Sequence, residues 1–286
     1  MQFDQDAQRR QIERFIKRMP SLSTSVGKVM EICSRTDASP NELNKVISLD
    51  PVLTGQVLKL INSAYYSLVN KVTTLTRAIT MLGLNTVKNM ALSTAIIKTV
   101  STVKKSRALP TNKFWAHSIS VGVSARLLAQ VKDIPMAERE ELFIAGLLHD
   151  LGKIPFGDEY IEVLALANSA QIPLIEAERQ YMGIDHQEVG LMIAEKWKLN
   201  EIITNCISNH HDLDLANNKH STQVGFVALG NIYSNVYDIG FAGNLYPSEA
   251  AIETLLDVTD LSWREFVNIR EDIETEIQKA QIFLQI

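Results

Sequence analysis

The sequence predicts an all-α protein built as a multi-helix bundle, and three observations carry that reading. Apolar residues recur at intervals of three and four along nearly the whole of a 286-residue chain, the spacing that lays a buried stripe on a helix. No run alternates apolar and polar residues between hairpin turn residues, as a half-buried strand would. Helix starts are also written repeatedly in capping chemistry.

The elements follow in order. Ser39-Pro40-Asn41-Glu42 is a capping box with proline at the first helical position, and Leu43, Val46 and Ile47 share the face behind it. Asp50-Pro51 repeats the device ahead of Leu53, Val57, Leu58 and Ile61. Thr76 is expected to start a short helix through Ile79 and Leu82, with Gly83 closing it in a left-handed conformation. A helix opening near Thr111 or Asn112 places Phe114, His117, Val121 and Ser124 on one side. Leu142, Ala145 and His149 align on the next, which Gly152 is expected to end. Asp185 caps a helix that begins at His186 and continues through Val189, Ile193 and Trp197. Ile203, Cys206, Ile207 and His210 form one line on a fourth, and His211 opens its exit loop. Val224, Val227, Ala228, Asn231 and Asn235 mark another. Ser262-Trp263-Arg264-Glu265 is a second capping box, followed by Phe266, Ile269, Ile273 and Ile277.

Val103 to Asn112 contains Lys104, Lys105, Arg107 and Pro110, and reads as a solvated joint between two helical lobes, residues 1–110 and 111–286. Asn217 to Ser221 is a second polar loop, and His220 within it is read as a surface residue. There is no internal repeat.

Composition narrows function. A hydrophobic content of 46% suffices for a normal core, and a net charge of −5 offers no diffuse positive field for a phosphate backbone, so nucleic acid is not an expected partner. The two cysteines, Cys33 and Cys206, are too few for a disulfide framework, and Cys206 in its apolar run reads as a small buried hydrophobe. The N-terminus lacks the basic start and apolar stretch of a signal peptide, and the apolar run from Phe143 to Leu148 is far too short to span a bilayer. The expected setting is cytoplasmic, with no membrane partner.

Five of the six histidines fall in the order His117, His149 followed by Asp150, His186, and the pair His210 and His211. Each lies on or beside an inward helical stripe. A single inward histidine is ordinarily a core residue satisfied by one hydrogen bond. Five together would each demand a buried partner, whereas metal ions satisfy several imidazoles and a carboxylate jointly. Other chemistries lack their signatures. Gly146 to Lys153 has the wrong glycine spacing for a phosphate-binding loop, with Ile154 where a hydroxyl should hold magnesium, and there is no nucleophile elbow, paired Cys-x-x-Cys or dinucleotide fingerprint.

Ala145-Gly-Leu-Leu-His-Asp-Leu-Gly-Lys153 resembles the signature of the HD superfamily of metal-dependent phosphohydrolases. Met19-Pro20, Ile47 to Thr54, Leu58 to Tyr66 and Ala78 to Gly83 resemble its HDOD branch, the likeness covering most of residues 15 to 235. HDOD domains are bacterial signalling modules that often lack the hydrolase ligands. Set beside the HD-GYP phosphodiesterases, this chain keeps matches for the first histidine (His117), the doublet (His149 and Asp150), the next ligand (His186) and the paired histidines (His210 and His211). Lys153 matches the lysine after the doublet, which contacts a substrate phosphate or serves as an ordinary helix-end cation. Glu178 falls where related enzymes sometimes place a carboxylate, but is expected on a solvated helix face. No Gly-Tyr-Pro follows the paired histidines, so cyclic di-GMP hydrolysis is not implied. Asn231 stands where HD enzymes present their last aspartate, a neutral carbonyl ligand in place of a charged one.

The resemblance therefore implies a metal-dependent phosphohydrolase. Two divalent transition ions (iron, manganese or zinc) would be held by His117, His149, Asp150, His186, His210, His211 and Asn231, with Asp150 and Lys153 acting on a phosphoester or nucleotide. The alternative is a non-catalytic signalling module that binds a ligand or a partner protein. In that case Asp50, Asn62 and Tyr65, otherwise capping and packing residues, would matter more than the histidines.

Overall fold

The computed structural model describes residues 5–33, 35, 37–101, 106–212, 215, 218–244 and 251–285. They form an all-α protein without a strand among them. Val103, Lys104 and Lys105 of the expected joint lie outside the described residues, as do Leu213, Asp214, Ala216 and Asn217 after the paired histidines.

The first half consists of α1 (Gln5–Arg18), α2 (Thr24–Cys33), α3 (Pro40–Ser48), α4 (Pro51–Ile61), α5 (Leu75–Leu82) and α6 (Leu84–Ser101). The Ser39 capping box forms as expected, and Asp50 caps α4 by accepting from the Leu53 N–H at 3.0 Å. Helix α5 starts one residue before Thr76 and is capped by Thr74. Gly83 has a positive φ of 84° but an extended ψ of 161°, because it turns the chain directly into α6 instead of closing a left-handed cap. Helix α6 is buried on almost every side, Thr86, Asn89, Ser93 and Thr94 included. It packs on α2, α4, α5 and α8 and so ties the halves together.

The second half comprises α7 (Thr111–Val131), α8 (Met136–Leu148), a 3-10 segment (Leu151–Glu159), α9 (Tyr160–Ala170), α10 (Leu174–Met182), α11 (His186–Trp197), α12 (Glu201–Asn209) and α13 (Ser221–Val236). It ends with α14 (Ala251–Thr259), α15 (Trp263–Asn268), α16 (Arg270–Ala280) and a 3-10 turn (Gln281–Leu284). Helix α7 is the spine, flanked by α8 and α13. Pro110 precedes its first turn, and neither Thr111 nor Asn112 caps it. Gly122 and Gly146 let α7 and α8 touch backbone to backbone, since a Cβ on Gly146 would stand 2.6 Å from Gly122 Cα. That contact fixes His117 and His149 relative to each other. Helix α1, although first in sequence, rests on α10, α11 and the 3-10 segment.

Gly152 does not end α8. The helix stops at Leu148, His149 keeps helical dihedrals at its C-cap, and Gly152 lies inside the 3-10 segment. There it meets α11 so closely that a Cβ would overlap the His186 carbonyl oxygen and stand 2.6 Å from Gly190 N. His220 is half-buried instead of lying on the surface, because its ring turns back toward Glu201 at the start of α12, with Nε2 3.6 Å from the carboxylate.

Candidate metal centre

Asp150 lies at the focus of four imidazoles. Its Oδ2 faces His149 Nε2 at 3.2 Å and His117 Nε2 at 3.8 Å, and its Oδ1 faces His186 Nε2 at 3.5 Å and His210 Nε2 at 3.6 Å. The five residues arrive from α7, the end of α8, the start of α11 and the end of α12, and none is more than 3% exposed. Burial in this interior pushes the His117 and His210 rings down to about 3, so both are neutral near pH 7. Burial alone would push the Asp150 carboxyl up, but His149 and Lys153 beside it outweigh that and hold it well below the usual range.

The outer nitrogens are already committed. His149 Nδ1 donates to the Gly146 carbonyl at 2.7 Å, and His210 Nδ1 donates to the Cys206 and Ile207 carbonyls at 3.0 Å each. His186 Nδ1 donates to Glu178 Oε2 at 2.6 Å. In a neutral ring a proton on Nδ1 leaves Nε2 as a bare lone pair. The His210 ring, neutral near pH 7, therefore turns such a lone pair inward, 3.2 Å from His186 Nε2. Two nitrogens bonded to one ion at about 2.0–2.1 Å stand roughly 3 Å apart. The buried atoms His149 Nε2, Asp150 Oδ1 and His211 Nε2 likewise lack a hydrogen-bond partner. The donors fall into two groups, His117 with His149 and Asp150, and His186 with His210 and His211. Within each the ligand atoms lie within 4.8 Å of one another. The residues present thus fit a metal centre, with imidazole and carboxylate donors gathered within reach of one another.

The other residues singled out by sequence are also here. Asn231 Oδ1 is 3.1 Å from His117 Nε2 and accepts from Asn235 Nδ2 at 3.0 Å. Lys153 is buried inside the 3-10 segment, beyond the end of α8: its Nζ donates to Asp150 Oδ2 at 2.8 Å and to the Ala242 carbonyl at 2.9 Å. His211 is half-buried, and its backbone N–H donates to Gln187 Oε1, whose Nε2 in turn donates to the Ser208 carbonyl.

Glu178 departs most from expectation. It is fully buried, not on a solvated face. Its Oε2 accepts both the His186 ring N–H and the His186 backbone N–H, the latter at 2.9 Å, and its Oε1 accepts the Tyr160 hydroxyl. The signal was present in the sequence: Leu174, Ala177, Glu178 and Met182 recur at the spacing of one helical stripe, and all four are buried. Asp185 then caps α11 by accepting from the Glu188 N–H and is held by Arg179 at 2.7 Å.

The family model of the HDOD domain matches residues 19–213. An HDOD domain protein of unknown function from Geobacter sulfurreducens superposes with a TM-score of 0.78 at 24% identity, covering 99% of this chain and 100% of its own. A candidate phosphohydrolase from Shewanella amazonensis SB2B gives a TM-score of 0.71 at 19% identity, over 96% and 98% of the two chains. At these identities the likeness is one of fold. An uncharacterized protein of Treponema pallidum (strain Nichols) is 25% identical over 218 residues, which are 75% of this chain but 42% of that protein, so the chain spans less than half of that relative's length.

Proposed function

Because the chain belongs to the HDOD family and carries two clusters of imidazole and carboxylate donors, we propose that it binds two divalent transition ions and hydrolyses a phosphoester or nucleotide. The observation that carries this reading is Asp150, buried and turning one carboxylate oxygen toward each half of the cage. Iron, manganese and zinc all suit the mixed nitrogen and oxygen donors. The assigned ligands are His117, His149, Asp150, His186, His210 and His211, with Asn231 completing the first group. When bound, the ions would supply Lewis acidity toward a phosphoryl oxygen and lower the pKa of water.

The chain's own residues prepare the rest. Carbonyls and Glu178 hold the His149, His186 and His210 protons on Nδ1, so the Nε2 of each is presented inward. With neutral imidazoles and a single carboxylate, two divalent ions keep excess positive charge, to which Lys153 adds. That balance favours an anionic substrate such as a phosphate ester. Lys153, beside Asp150, is the residue assigned to the phosphate.

A second reading is favoured by closure of the cage. All of its ligands except His211 are at most 3% exposed, and Lys153 joins the Ala242 carbonyl to Asp150, which suits a non-catalytic signalling module that binds a ligand or a partner protein. One experiment separates the two. Protein purified without chelator or affinity metal, and its His149→Ala variant, are analysed for metals and then assayed against p-nitrophenyl phosphate, bis-p-nitrophenyl phosphate and a nucleotide set. About two equivalents lost in the variant, with turnover lost alongside, is the expected result. Metal without turnover moves the assignment to signalling, and no metal in either protein rejects the metal-dependent hydrolase and leaves a module that acts through a protein partner.

A further inference from the structure

Far from the cage, a cavity of about 740 Å³ opens between α2, α6 and the turn joining α11 to α12. Its volume falls in the range of small-molecule sites, roughly 300–1,000 Å³. The floor is apolar, formed by Leu22, Met30, Leu92, Trp197 and Leu199. It is braced by the Trp197 indole, which donates to the Pro20 carbonyl at 3.1 Å, and by Lys196, which donates to the Ile16 and Lys17 carbonyls at 2.6 and 3.0 Å. Two adjacent side chains thus tie this wall to the end of α1.

The charge of the lining is opposite to that of the chain. Lys28, Lys88 and Lys198 surround the floor, and Glu31 is the lone carboxylate of the lining, although the whole molecule carries −5. The three lysines come from three separate elements, α2, α6 and the left-handed residue that ends α11. Burial raises the Cys33 thiol of the same lining, and Lys88 is near enough to offset part of that rise. An apolar floor lined with three lysines from separate elements matches a small molecule with an apolar body and an anionic end, and matches neither bare phosphate nor an uncharged hydrophobe. The cavity is also separate from the metal centre: it lies at the C-terminal end of α11, a 12-residue helix whose first residue is His186, hence about 17 Å along the axis at 1.5 Å per residue.

We propose that this cavity is a binding site for a small organic anion with an aliphatic or aromatic body, independent of the histidine cage. Isothermal titration of the full chain with 1-anilinonaphthalene-8-sulfonate, decanoate, inorganic phosphate and neutral 1-anilinonaphthalene tests it. At least one of the two amphiphilic anions is expected to bind with one-to-one stoichiometry, at least tenfold more tightly than phosphate or the neutral arene. Lys88→Gln and Lys198→Glu should each weaken it by about tenfold, the scale of one lost charge-assisted contact. Lys71→Glu, outside the lining, should leave it unchanged. Lys198 is exposed, so its variant keeps the fold even if the half-buried Lys88 does not tolerate change. No one-to-one binding of either anion, equal binding of the neutral arene, or indifference to both lysine variants overturns the proposal. His149→Ala should not alter the binding, which makes this outcome independent of the fate of the metal reading.

Discussion

Glu178 spends one carboxylate oxygen on two N–H groups of the same residue, the backbone and ring of His186. The ring can then neither rotate nor shift its proton, and the negative charge behind it makes Nε2 a stronger donor. Glu178→Gln keeps the shape and removes the charge. We expect it to lower metal affinity by about 10- to 100-fold, measured by competition against a chromophoric chelator, while leaving the thermal unfolding profile of the metal-free protein nearly unchanged; unaltered affinity would deny Glu178 this role. Glu178→Ala is a harsher change, because it strands two buried N–H groups at about 1–3 kcal/mol each. The histidines were legible in the sequence because each lies on an apolar stripe whose direction periodicity reveals. Glu178 was misplaced because a charged residue flanked by Glu176 and Arg179 reads as surface until the apolar spacing around it is counted. Lys153 was ambiguous for a related reason: one of the groups that hold its buried ammonium is the Ala242 carbonyl, 89 positions away, and no local pattern announces such a partner.

The elements locate these residues through glycine contacts. Gly152 lets the 3-10 segment lie against the first turn of α11, so a single crossing sets Asp150 relative to His186. The nearest atoms to a Cβ at Gly152 are the His186 carbonyl oxygen and Gly190 N. A methyl group there would force the segment off α11 and separate Asp150 from His186 and His210. Gly152→Ala is therefore expected to destabilise the fold by about 1–3 kcal/mol, the usual scale of overpacking, and to cost metal binding as well, read by urea unfolding and metal analysis of the same sample. Gly157→Ala is the comparison, since nothing lies within 4 Å of a Cβ there, and its positive φ of 61° should affect stability without touching the metal. Capping chemistry made α3, α4 and α15 legible almost to the residue. Helix α6 was not singled out, because burial on nearly every side erases the stripe on which periodicity depends.

At the scale of the whole molecule, a continuous buried core runs through both halves, and a polar network crosses the same seam. The Arg126 guanidinium of α7 lies over the Tyr65 ring at 4.6 Å and reaches Glu140 of α8 at 3.6 Å and Glu276 of α16 at 3.2 Å, while the Tyr66 hydroxyl donates to Glu140 at 2.9 Å. Phe283 of the last 3-10 turn packs on both Tyr65 and Phe143. Arg126 thus sets a cation between two carboxylates in a mostly buried junction. Arg126→Met retains the stem's packing and leaves Glu140 and Glu276 without that cation, so we expect a loss of about 3–5 kcal/mol. Chemical unfolding followed by tryptophan fluorescence and by circular dichroism should give coincident single transitions in the wild type. If instead the two probes separate in the wild type, the halves unfold independently and the network is not what joins them.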